Sequence, residues 1–211
     1  MSYDFFKMVY SDFSLAKVKK EFGLTLDESR NLFADTKPVL PSATLRTLLT
    51  DYIPLATSIA TEKARSEFLI APILAEVRRL LNNKISLFSG NEFNVDAKRG
   101  LQGFCDYIIS SSREQLFITA PVTIIFEAKK EDIIGGLGQC VAAMVAAQYF
   151  NQNQGNEIER IYGSVTTGTN WKFLFLEGTT VYIDEIEYYI KEVDRILGIL
   201  LQPFQPALTV V

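Results

Sequence analysis

Two carboxylates and one ammonium stand at spacings that let them meet. In LQGFCDYIIS the alternation of a strand puts Phe104, Asp106 and Ile108 on one face, so an acid falls within an apolar row. Burying a lone carboxylate is costly unless it is paired or metal-bound, so Asp106 needs a partner. The next apolar segment, VTIIFEAKK, supplies one. Its Glu127 and Lys129 are two residues apart, share a face and lie about 7 Å apart along a strand. On neighbouring strands the three groups converge. Such a trio suits hydrolysis of a phosphodiester: the carboxylates hold Mg²⁺ or Mn²⁺, the ion polarises the phosphate and acidifies its water, and the lysine orients that water. The alternative is an ion cluster that only holds strands together.

The chain has no histidine, which excludes Ser-His-Asp and Cys-His nucleophiles, HExxH zinc sites and most zinc deaminase centres. Catalysis must rest on carboxylates, lysine, tyrosine or a hard, oxygen-ligated ion such as Mg²⁺ or Mn²⁺. A formal charge of −4 argues against a surface coated in positive charge. Local basic clusters remain, at Lys63, Arg65, Arg78, Arg79 and Lys84, at Lys98 and Arg99, and at Lys129 and Lys130. They read equally as a solvated face or as a rim that touches phosphate. Cys105 and Cys140 sit in apolar stretches and read as small buried thiols of a reducing compartment. The sequence is read as having no apolar run near 18 residues and no signal-peptide pattern at the start, so the expected location is cytoplasmic, with no membrane contact.

The elements that must position the trio are legible as a single domain over 1–211, since no repeat or linker marks a boundary. Residues 1–55, broken by Pro38 and Pro41, read as an N-terminal appendage with one or two short helices. Residues 56–183 read as the core. A long helix is expected from Ala56 to Leu81, kinked by Pro72. KISLFS and NEFNVD, with SGN as their turn, then LQGFCDYIIS and APVTIIFEAKK, read as consecutive strands of an antiparallel meander. EDIIGGLGQCVAAMVAAQYFNQ is a helix whose glycines let its start lie close to a sheet, and ERIYGSVTTG, NWKFLFLEG and TTVYI are further strands. From 184 onward, Asp184 and Glu187 are spaced like a helix cap and its partner. They precede an apolar seam of Ile186, Ile190, Val193, Leu197 and Leu200, which would serve core packing or a homodimer contact. The fold class is α/β with a mixed central β-sheet flanked by helices.

With Asp106 on one strand and Glu127-Ala128-Lys129 ending the next, the chain resembles the PD-(D/E)XK (restriction-endonuclease-like) nuclease superfamily, over roughly Glu67 to Phe175 in order of elements. The aspartate stands in GFCDY rather than after a proline. The resemblance implies a restriction-endonuclease-like core in α-β-β-β-α-β order. It also implies a Mg²⁺-dependent DNA endonuclease of restriction or repair type, with metal held by Asp106, Glu127 and the Ala128 carbonyl. Relatives often add a helix glutamate, for which Glu67 is favoured over Glu62 and Glu76, and a glutamine on the following helix, here Gln139. The exonuclease branch would place a tyrosine where this chain has Ala143. The competing expectation is a nuclease-fold module without chemistry that binds a protein or nucleic-acid partner. A basic rim around Asp106 and Glu127 favours nucleic acid, and an acidic or apolar rim favours the module.

Overall fold

The run VTIIFEA is buried at every residue, which is what a strand covered on both faces requires. In the computed structural model, which describes residues 8–205, that run is an inner strand of one seven-stranded mixed sheet. Helices α1 (Leu15–Phe22), α2 (Ala43–Ile59), α3 (Glu62–Arg65) and α4 (Ala71–Leu80) come early in the chain, with the short strand β1 (Thr25–Asp27) between the first two. Then follow β2 (Ser86–Glu92), β3 (Phe104–Ser110), β4 (Val122–Ala128), α5 (Ile133–Asn153), β5 (Arg160–Thr166), β6 (Asn170–Glu177), β7 (Thr180–Tyr189) and α6 (Val193–Leu201). The strand order is β1-β7-β6-β5-β4-β3-β2. Two pairings are parallel, β4 with β5 across the α5 crossover and β1 with β7; the others are antiparallel.

Each face of the sheet has its own apolar core. On one side α5 is the main cover: Cys140, Val141, Met144 and Val145 pack with Ile108, Ile125, Val165 and Leu174. On the other, Leu69, Ile73 and Val77 join Leu197 and Leu200 over Phe126, Trp171 and Phe173. Fully burying side chains of this size contributes about 1.5–3 kcal/mol each, so these two layers dominate stability. Against the expectation of no such run, helix α5 is long and apolar enough to cross a membrane, yet 67% of that window is buried inside the fold, as a core helix would be.

Several elements differ from the sequence expectation. The helix expected over residues 56–81 is broken once, at Ala60, and widened once within its second part. Ala60 takes a left-handed conformation (φ 56°) and ends α2, and Thr61 caps α3 by accepting the Ala64 N–H. The irregularity expected at Pro72 falls just before it, as a π-helical stretch over Ser66–Ile70 in which the Ala71 N–H reaches back to the Ser66 carbonyl. A proline ring crowds the carbonyl four residues earlier, and a wider turn relieves that contact. The SGN turn is absent, since β2 keeps its register with β3 from Ser89 to Asn91 across a left-handed Gly90 (φ 67°); of NEFNVD, residues 93–96 lie outside any strand of the sheet.

Asp184 and Glu187 do not cap a helix but lie within β7, and α6 begins only at Val193. Asp184 is fully buried and accepts hydrogen bonds from the Leu32 N–H and the Tyr188 hydroxyl, both 3.0 Å. Of the apolar seam, Ile190, Leu197 and Leu200 pack into the core, while Ile186 is 37% exposed. The first 55 residues are woven into both layers: Phe13 and Val18 join the α5 side, β1 extends the sheet, and Leu45 and Leu49 cover the opposite face.

Candidate active site at the end of β3 and β4

After a register shift between Ser110 and Ile109, strands β3 and β4 pair residue for residue from Ile109 and Ile124 to Tyr107 and Phe126, and there the ladder stops. The next N–H of β4, that of Ala128, goes instead to the Asp106 carboxylate at 2.7 Å. Alternation also breaks here: Cys105 and Ile108 both lie in the α5-side core, with Tyr107 in the opposite one. Asp106 therefore does not simply share the face of Phe104 and Ile108. It turns into the gap at the strand ends, beside Ser66, Ser89 and Tyr107.

Glu127 is 4% exposed and, among the described residues, its one close cation is Lys129, whose Nζ donates to Oε1 at 2.6 Å. The same ammonium donates to Gln139 Oε1 at 3.2 Å, so a side chain from α5 completes the lysine's setting. Lys129 lies just past β4, where its N–H continues the parallel ladder to the Thr166 carbonyl. Its stem lies against the start of α5 because Gly136 is there. A Cβ at that position would meet Val165 at 2.7 Å and the Lys129 Cγ at 3.0 Å. Of the GGLG glycines, Gly136 serves the expected close approach to the sheet, whereas Gly138 faces the backbone of Phe13 to Leu15 and Gly135 the Asp132 side chain.

Burial, and then the neighbouring Asp106 charge, push the Glu127 carboxyl up to about 8 despite Lys129. Burial also raises Asp106, opposed by the Ala128 N–H. Burial pulls Lys129 down, but Glu127 and its hydrogen bond outweigh that, and the net direction is upward. One ammonium thus faces two carboxylates that resist ionising, and an added cation would relieve both.

Three helix glutamates came into question. Glu76 is remote: it receives Arg79 and the Ser42 backbone, and is buried against them. Glu67 lines the rim but is 55% exposed and pairs with Lys63 at 3.4 Å. Glu62, in the same cleft, is the one whose charge acts on Asp106, Glu127 and Lys129 alike. Sequence reasoning undervalued it because the break at Ala60, which swings α3 over the strand ends, had no clear signal. The Tyr107 hydroxyl, 2.7 Å from Ser66 Oγ and 3.0 Å from the Ser66 carbonyl, pins this turn to β3.

For a metal, the local donors are two carboxylates and the backbone carbonyl of Ala128. Among the described residues no three acidic or sulfur side chains close on one point. The donor set nevertheless fits Mg²⁺ or Mn²⁺, hard ions that keep several waters and take one or two carboxylates. The disfavoured ionisation of Asp106 and Glu127 is what such an ion would offset. Compared with known families, curated proteins and solved structures, the chain finds no match.

Proposed function

We propose that the chain is a Mg²⁺- or Mn²⁺-dependent phosphodiesterase of restriction-endonuclease-like type that acts on nucleic acid, DNA first. The observation that carries this reading is the meeting of Asp106, Glu127 and Lys129 at one end of adjacent strands, with Gln139 on the ammonium. The order helix, three-stranded antiparallel meander, helix, parallel strand also agrees with the order that the PD-(D/E)XK resemblance implies.

Asp106, Glu127 and the Ala128 carbonyl would hold the ion, which when bound supplies charge stabilisation and an acidified water. Lys129 keeps its proton and stands where negative charge grows on the phosphoryl oxygens, oriented by Glu127 and Gln139. Glu62 adds negative potential from the helix side, which favours cation capture and disfavours an empty, ionised site. The dry surroundings of Glu127 strengthen each of these interactions.

One observation favours the second reading, a binding module without chemistry. Glu62, Glu67, Glu131, Asp132 and Glu187 line the clefts around the site, against Lys63, Arg65 and Lys130. An acidic rim repels a polyanion unless divalent ions bridge the two. The decisive test is thermal stability with millimolar Mg²⁺ or Mn²⁺, because an ion that binds only the folded state raises Tm by mass action. Wild type is expected to gain stability and Asp106→Asn to lose that gain. No metal-dependent shift in wild type transfers the case to the module.

A further inference from the structure

Next to the catalytic groups a cleft of ≈ 350 Å³ opens between α3, the start of α5 and the turn that joins β5 to β6. Arg65, Lys130, Thr167 and Thr169 line it. It borders the site on two strands, since Lys130 follows Lys129, and Thr167 follows Thr166, whose carbonyl accepts the Lys129 N–H.

Arg65 is the unusual group. Its Nη1 donates to the Thr167 carbonyl at 3.3 Å and to Thr169 Oγ1 at 3.1 Å, while its Nε is sealed from solvent without a hydrogen-bond partner. Among the described residues no carboxylate lies within 4.0 Å of it. The acids nearby are engaged elsewhere. Glu131 faces Lys130 at 3.9 Å, Asp132 accepts the Gly135 N–H at 2.8 Å, and Glu187 accepts the Asn170 amide at 3.4 Å. A partly buried guanidinium without a counter-ion is costly, and with Nη1 engaged and Nε sealed, its Nη2 is the donor left to a phosphate entering the cleft beside Lys130.

We infer that Arg65, assisted by Lys130, binds a phosphate of the nucleic-acid strand adjacent to the one being cleaved. This rests on the phosphodiesterase reading. Arg65 acts as a positioning residue, which holds the strand in register while the chemistry happens one phosphate away. The Arg65 and Lys130 charges offset the acidic rim locally, giving a polyanion one point of entry.

Inorganic phosphate, titrated without divalent ion and with chloride at matched ionic strength as control, tests the subsite by itself. The Arg65 Nε–H resonance reports occupancy. A saturable shift is expected in wild type and equally in Asp106→Asn, with affinity lower by about tenfold or more in Arg65→Gln. Arg65→Lys keeps the charge but not the guanidinium, and is expected to fall between; it carries the comparison if Arg65→Gln does not fold. No response beyond chloride, or equal affinity in wild type and the Arg65 variants, overturns the inference. Failure of the phosphodiesterase reading looks different, with phosphate bound at Arg65 but no metal-dependent cleavage.

Discussion

Glu127 is held in a protonation state that the fold itself opposes changing, and this has a measurable cost. Its carboxyl is raised from the usual 4.5 to about 8, so between those values the folded chain binds a proton that the unfolded chain has released. Stability therefore falls as pH rises from about 4.5 to about 8 in the absence of metal, and Asp106 adds to the fall with the same sign. Glu76 works in a separate, lower window. Arg79, followed by its other hydrogen bonds, brings it to about 2, so its contribution is lost only as pH drops below the ordinary carboxylate range. Glu127→Gln is expected to flatten the metal-free Tm profile between pH 5 and 8 (about the window above), as followed by calorimetry; an unchanged slope would show that Glu127 is not the titrating group. Lys129→Met keeps the stem but removes the charge. Metal binding should survive while cleavage falls on the order of 10²–10³-fold, because the ammonium acts chiefly on the transition state. The trio was legible from residue type and the order of the two strands, although the alternation that put Asp106 on the face of Phe104 and Ile108 breaks at Cys105. Glu62 was not, since its relevance depends on a helix break rather than on its own neighbours.

At the scale of elements, the start of α5 and the π-helical stretch before Pro72 shape the site from its two sides. Two glycines of α5 separate packing from chemistry. Gly138→Ala would drive a methyl to 2.3 Å from the Phe13 carbonyl, where the N-terminal segment crosses the helix. Overpacking of this kind costs about 1–3 kcal/mol, so denaturant midpoint should drop with little change in metal affinity per folded molecule. Gly136→Ala instead presses on Val165 and the Lys129 stem. It should lower the cleavage rate more than it lowers Tm, and the reverse pattern would place Lys129 outside the mechanism. Strands β3 and β4 were legible from their apolar runs and α5 from its alanine-rich composition, whereas the expected SGN hairpin is replaced by one continuous strand β2. The end of α2 was not, because ATSIATEKAR has no glycine or proline and only Thr61 signals a new cap. Strand β7 hid a similar ambiguity: IDEIEYYI fits a helical seam and a strand alternation, and its pairing with β1 and bond to Leu32 are tertiary facts no local window contains.

Across the whole molecule, charge is the property that the site must overcome. The basic segment from Lys63 to Lys84 does not form one patch, because Arg79 turns to Glu76 and Arg78 to Asn83, away from the strand ends. With an acidic rim and a formal charge of −4, nucleic-acid affinity should be weak without divalent ions and rise when they are added. Its dependence on monovalent salt should be shallow, since few phosphates meet a cation. A steep salt dependence in the absence of metal would mean a basic surface elsewhere on the chain. The central claim is chemical, and cleavage tests it most directly. Labelled single- and double-stranded DNA and RNA are incubated with wild type and with Asp106→Asn, in Mg²⁺, in Mn²⁺ and in chelator. Hydrolysis by wild type in either metal, absent in chelator and abolished by Asp106→Asn, is the predicted result. Intact substrate in every wild-type reaction, or equal cleavage by the variant, would contradict it.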